Sequence, residues 1–118
     1  MSTRAYVFYY NEEKDKYFGI YNHFDGYPNG LGKILVENYN TLDKVKELIS
    51  CGDASYIEET IVDSVFYHRD RNEDLSIHEA ISFSELKTSA FRENYLYVFW
   101  NGYWKCYHSF NNYIEVEI

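Results

Sequence analysis

Disulfides, bilayer crossings and phosphate-gripping surfaces are all poorly provided for in this chain. Its two cysteines, Cys51 and Cys106, stand far apart, so no disulfide framework is present and reduced thiols are expected. No apolar run approaches the ~18 residues of a membrane span, and the opening MSTRAYVFYY lacks the long apolar segment of a secretory signal. A protein of the cytoplasm, without a membrane partner, is the expectation. Basic residues are scarce too: 11 Lys and Arg face 19 Asp and Glu, for a formal net charge of −8. Gripping nucleic acid through its phosphates needs the opposite balance, so direct DNA or RNA binding is disfavoured. An acidic surface suits a positively charged partner, or simply keeps an aromatic-rich domain dissolved. Compact catalytic signatures are missing as well. There is no Cys-x-x-Cys, His-Glu-x-x-His, Gly-x-Ser-x-Gly elbow or P-loop.

What the chain does have is aromatic residues, 20% of its 118 positions, with 14 Tyr and 8 Phe. That length makes one domain, long enough for a real core. Tyr is amphipathic and can cover a sheet face while leaving adhesive, hydrogen-bonding surface in water.

The aromatic residues fall into strand-like runs. Ala5 to Tyr10 and Tyr17 to Asn22, separated by the polar NEEKDK, read as an N-terminal hairpin. His23 to Gly32 carries three glycines and the only proline, and reads as a structured loop; its GYPNGLG lacks the Lys-Ser/Thr ending of a phosphate cradle. Ile34 to Tyr39 is helical in pattern, with Leu35, Val36 and Tyr39 on one side. Thr41 caps a second helix whose Leu42, Val45, Leu48 and Ile49 share a face, and Cys51-Gly52 ends it. A short polar connection leads to a strand at Ser64 to Tyr67, followed by the charged loop RDRNED. A short helix is expected near Ser82 to Ala90. In YLYVFW-NG-YWKCYH, an Asn-Gly pair separates two aromatic strands, the mark of a two-residue hairpin. Tyr113 to Ile118 reads as an edge strand. Strands at both ends with helices between predict an α+β domain: a mostly antiparallel sheet from N- and C-terminal hairpins, with two or three helices packed on one face.

Two His-x-Asp triplets, His23-Phe24-Asp25 and His68-Arg69-Asp70, stand beside these strands. On an extended chain, side chains two apart point the same way, so each triplet can present an imidazole beside a carboxylate. If the pairs meet, His23, Asp25, His68 and Asp70 supply the nitrogen and oxygen donors of a tetrahedral zinc site. Cys106 and His108 repeat the spacing and make a second-choice set with His23 and His68. The alternatives are a catalytic His–Asp pair, with Cys51 or Cys106 as nucleophile, and two hydrogen-bonded structural loops. Cys51 closes a helix C-terminus, where the dipole disfavours a thiolate. In HRDRNED, Arg69 and Arg71 are either solvated ion pairs or, for one of them, a clamp on a carboxylate that fixes the loop beside His68.

The stretch HFDGYPNGLGKILVENYNTLDKVKELISCGDASYI, with YHRDRNED and the closing YLYVFWNGYWKC, resembles a family of small phage and prophage proteins of Gram-positive bacteria. The likeness covers most of positions 6 to 107. It extends to type II-A anti-CRISPR proteins, some of which contain zinc. The resemblance implies a protein that works in the cytoplasm of an infected bacterial host, binds the RNA-guided nuclease of a type II CRISPR system, and blocks target DNA loading or cleavage. Zinc would then be structural. Asn22 stands where the family often has Cys before the His, which removes one candidate ligand. A small metal- or His-dependent hydrolase acting on a nucleotide or signalling molecule, and a metal-free phage accessory protein, are the competing readings.

Overall fold

The computed structural model describes residues 2–109 and 112–118. Strands β1 (Ala5–Asn11) and β2 (Lys16–Asn22) form the expected hairpin, with Ala5 opposite Asn22 and Asn11 opposite Lys16. Period-two alternation sends Val7, Tyr9 and Ile20 to one face of the sheet and Phe8 to the other. Across from Phe8 stands Gly19, where a β-carbon would lie 2.4 Å from the Phe8 ring; only glycine lets that ring lie flat across β2.

After β2 the chain makes one π-helical turn at Pro28–Gly32, then helices α1 (Lys33–Asn38) and α2 (Leu42–Ser50). Thr41 caps α2, its hydroxyl accepting the Lys44 N–H at 3.3 Å, and Gly52 closes it at φ +80. Val45, Leu48 and Ile49 are buried as their spacing predicts. Leu42 and Val36 are exposed: Val36 lies about 100° round the helix from the buried Leu35, and Leu42 is the first residue of α2. The supposed polar connection holds a three-residue strand, β3 (Ala54–Tyr56). Then come β4 (Val65–Phe66) and α3 (Tyr67–Arg71), a short helix where a charged loop is expected. Strand β5 (His78–Ala80) is likewise too short to show a period. Helix α4 spans only Phe83–Leu86 under its Ser82 cap, and a 3₁₀ turn, Ser89–Phe91, takes the rest of the predicted helix. β6 (Tyr95–Trp100) and β7 (Tyr103–His108) form the Asn-Gly hairpin, with Asn101 at φ 54 and Gly102 at φ 84, and β8 (Ile114–Val116) pairs with β7.

The result is an α+β domain on a mixed eight-stranded sheet of order β4-β3-β2-β1-β6-β7-β8, with β5 paired to β2. The sheet is less antiparallel than predicted, since the two hairpins meet through a parallel β1–β6 pair and β3 joins β2 in parallel. Parallel pairs need long crossovers, and these cover both sheet faces rather than one. Leu35, Tyr39, Val45, Leu48 and Ile49 pack with Val7, Ile20 and Tyr97 on the first face. Leu86 and Phe91 pack with Phe8, Leu96 and Val98 on the second. Among the described residues, four short α-helices therefore stand where two or three on one side are expected. Among the described residues, no helix is long and apolar enough to cross a membrane.

Candidate protein-binding face

The two His-x-Asp triplets leave the sheet in opposite directions. His23 and Phe24 continue along β3, their N–H groups donating to Ala54 O at 3.1 Å and Ser55 O at 2.9 Å. Tyr67, one residue before His68, runs back the other way, its N–H donating to Asp53 O at 3.1 Å. The two pairs thus lie on different sides of β3, and His23, His68 and Asp70 each have a local side-chain partner. His23 Nδ1 pairs with the Tyr21 hydroxyl at 2.6 Å and Nε2 with Ser2 Oγ at 3.3 Å. Asp25, at φ 56, turns the backbone, and its carbonyl accepts Leu31 N–H at 3.0 Å. His68 Nδ1 pairs with Glu73 O at 2.8 Å. Asp70 accepts the Phe66 N–H at 2.8 Å, and Arg69 beside it holds its carboxyl below the usual carboxylate range, helped by that backbone bond.

Among the described residues, no group of three or more His, Cys, Asp or Glu side chains is placed to hold a metal ion. As arranged, these residues do not fit a closed tetrahedral zinc site. The second-choice pair fares no better on geometry. Cys106 is fully buried against Tyr97, its thiol pushed up to about 12 by desolvation, and the His108 ring lies 5.1 Å from that of Tyr95. Burial also raises the Cys51 thiol, which donates to Glu47 O at 3.5 Å, so neither cysteine is primed as a nucleophile.

Of the two arginines, Arg69 is the clamp. Its guanidinium donates to Ile61 O at 2.8 Å, to Ser64 O at 2.5 Å and to Asp70 at 3.0 Å, tying the Ile61–Ser64 turn to α3. Arg71 reaches Ser55 Oγ, at 3.5 Å, and lies over the Tyr67 ring. The His–carboxylate contact that does form joins residues the triplet spacing does not single out. His78 Nε2 lies 3.0 Å from Asp53 Oδ1, with the Tyr6 and Phe91 rings against the imidazole. A carboxylate just after a helix-ending glycine is the only sequence signal that pointed there.

The open surface lies elsewhere on the second sheet face. Tyr17 is registered with Tyr10, and Trp100 with Tyr103. Since Tyr9 stands beside Phe99, Tyr10 stands beside Trp100, and four aromatic residues cross β2, β1, β6 and β7 in one row. Trp100 is 52% and Tyr103 68% exposed. Three concavities meet at Trp100. One, of about 500 Å³, runs along Val98, Lys105 and Tyr107 and is mainly apolar. A second, of about 620 Å³, is bounded by Tyr10, Tyr17, Phe83 and Ile81 with Glu12 and Asp15 on its rim. The third, of about 390 Å³, reaches Glu13, Leu42 and Lys46. The Tyr10 hydroxyl donates to Asp15, a bond that raises its pKa and fixes the ring against the hairpin turn. Compared with known proteins, the chain matches no family model, no curated protein and no solved structure.

Proposed function

We propose that this chain is a phage-encoded inhibitor that binds a basic host defence protein, the RNA-guided nuclease of a type II CRISPR system, in the cytoplasm of the infected bacterium. It acts by occupying surface needed for target DNA loading or cleavage. The observation that carries this reading is the aromatic row with Trp100 and Tyr103 exposed and Tyr10 and Tyr17 half-buried, beside the carboxylates of Glu12 and Asp15. Exposed Trp and Tyr are the residues that most often anchor protein interfaces, and contiguous exposed apolar surface on a small domain marks a docking site. The net charge of −8 complements an effector whose nucleic-acid channel is strongly basic. No step of this activity is routed through zinc; a structural zinc would require the His23–Asp25 and His68–Asp70 loops to be drawn together, which metal analysis of the purified protein tests.

Binding of the purified chain to the nuclease, with and without guide RNA, is the direct test. A complex that excludes target DNA and weakens as salt is raised is expected. No affinity in either state withdraws the nuclease as partner.

A further inference from the structure

The geometry points to an arginine side chain, presented by a basic protein surface, as the group received by the concavity between Trp100, Tyr10 and Tyr17. This deepens the proposed function and rests on the reading of the chain as a binding protein. The row of four aromatics leaves the Trp100 indole open at the centre of the face, where a planar cation can stack within ~6 Å of a ring centroid. At the rim stand Glu12 and Asp15, and no Lys or Arg lines this concavity. Carboxylates beside an open π face are the two features that recognise a guanidinium together: one takes the planar face, the other the N–H fork.

The protein's own cations stand at its edge or on the opposite face. Lys14, in the same turn as Glu12 and Asp15, lies 5.6 Å from the Phe18 ring, and Phe18 packs on the opposite face. Lys87 sits 4.5 Å over the Phe83 ring, so that aromatic already has its cation, while Lys105 lines the neighbouring apolar concavity. A guest cation therefore finds the Glu12 and Asp15 carboxylates and the open Trp100 ring in this concavity, while Lys105 and Lys46 line the two neighbouring ones. Arginine fits better than lysine because an ammonium is a strongly hydrated point charge that gains less from a flat indole.

Calorimetric titration with an oligo-arginine peptide and an oligo-lysine peptide of equal length, against wild type, Trp100→Ala and the Glu12→Gln/Asp15→Asn double variant, tests this. Wild type is expected to bind the arginine peptide several-fold more tightly, with quenching of Trp100 fluorescence. Trp100→Ala, which keeps the net charge, is expected to lose about tenfold and to bind both peptides alike. The double variant is expected to weaken both while keeping the arginine preference. Equal affinity for the two peptides, or unchanged arginine binding by Trp100→Ala, overturns the inference. The nuclease titration separates this outcome from the partner: arginine binding without nuclease binding removes the nuclease and leaves the site, and nuclease binding with no arginine preference removes the site and leaves the nuclease.

Discussion

Asp53 and His78, 25 residues apart, meet at 3.0 Å and fasten β5 to the start of β3. The same Asp53 Oδ1 accepts the Tyr21 N–H at 2.8 Å, so one partly buried carboxylate ties β2, β3 and β5. Around it, the Asp53 N–H donates to Ser76 O and the Asp53 carbonyl accepts from Tyr67. The imidazole–carboxylate pairing in this fold is therefore a splice between short strands.

That splice predicts an asymmetry. Asp53→Ala strands the Tyr21 N–H as well as His78, whereas His78→Ala removes one partner of a carboxylate that keeps its backbone donor. Urea unfolding should give a loss of about 1–3 kcal/mol for Asp53→Ala and a smaller one for His78→Ala. A double-mutant cycle should return a coupling of about 0.5 kcal/mol or more. Equal losses with no coupling would mean the contact carries no stability.

The Arg69–Asp70 pair predicts a pH dependence whose sign follows from the shift. Asp70 titrates below its ordinary value of 3.8 in the folded protein, chiefly because Arg69 favours the ionised form. A carboxyl depressed by folding adds stability above its unfolded pKa and loses it as pH falls through the folded one. Thermal melts should show Asp70→Asn less stable than wild type at neutral pH, with the gap closing as the pH is taken below 3.8. The group is exposed, so the effect is small and shrinks in high salt. A gap that persists in acid would move the cause from charge to the Phe66 cap.

The metal question has its own variants. His23→Ala frees the Tyr21 hydroxyl and His68→Ala frees Glu73 O, both partly or wholly exposed groups. Each should lower the melting temperature by no more than a few degrees and leave the metal content of the purified protein unchanged. One zinc per chain in wild type, lost in both variants, would show that the two loops close on a metal in a rearrangement of the form described above.

Turn chemistry and capping read correctly, and helical period does for Val45, Leu48 and Ile49 but not for Leu42 or Val36. The Asn101-Gly102 turn needs two positive φ angles, and the Thr41 cap and Gly52 stop bracket α2. Strands β3, β4 and β5, of two or three residues each, carry too little pattern to be seen. The His-x-Asp spacing pairs side chains only on an extended chain, which neither triplet keeps throughout. Tyr67–Arg71 is helical, where residues two apart do not share a face, and Asp25 sits in a left-handed turn. The Trp100 site was legible only as composition, an aromatic excess with acidic charge, and neither its exposure nor its place could be read. The row depends on β1 lying parallel to β6, a long-range pairing that no local pattern encodes.

Tyr97 divides stability from binding. It is fully buried, and its hydroxyl donates to Gly26 O at 2.7 Å, fixing the glycine-rich loop to the first-face core. Burial pushes that hydroxyl's pKa far above the usual tyrosine range, so it stays a donor at any working pH. Gly26 cannot easily rearrange, because its own N–H donates to Thr3 O and a β-carbon there would come within 2.9 Å of that oxygen. Tyr97→Phe keeps the ring and leaves Gly26 O without its partner, so a loss of about 1–3 kcal/mol is expected in urea unfolding. Trp100, three residues along the same strand, faces solvent on the other side of the sheet. Trp100→Ala should leave the unfolding midpoint close to wild type while abolishing tight partner binding. Tyr97→Phe should do the reverse, provided binding is measured well below its melting temperature. If both variants fall in stability together, the aromatic row is part of the core and the docking face must be sought elsewhere.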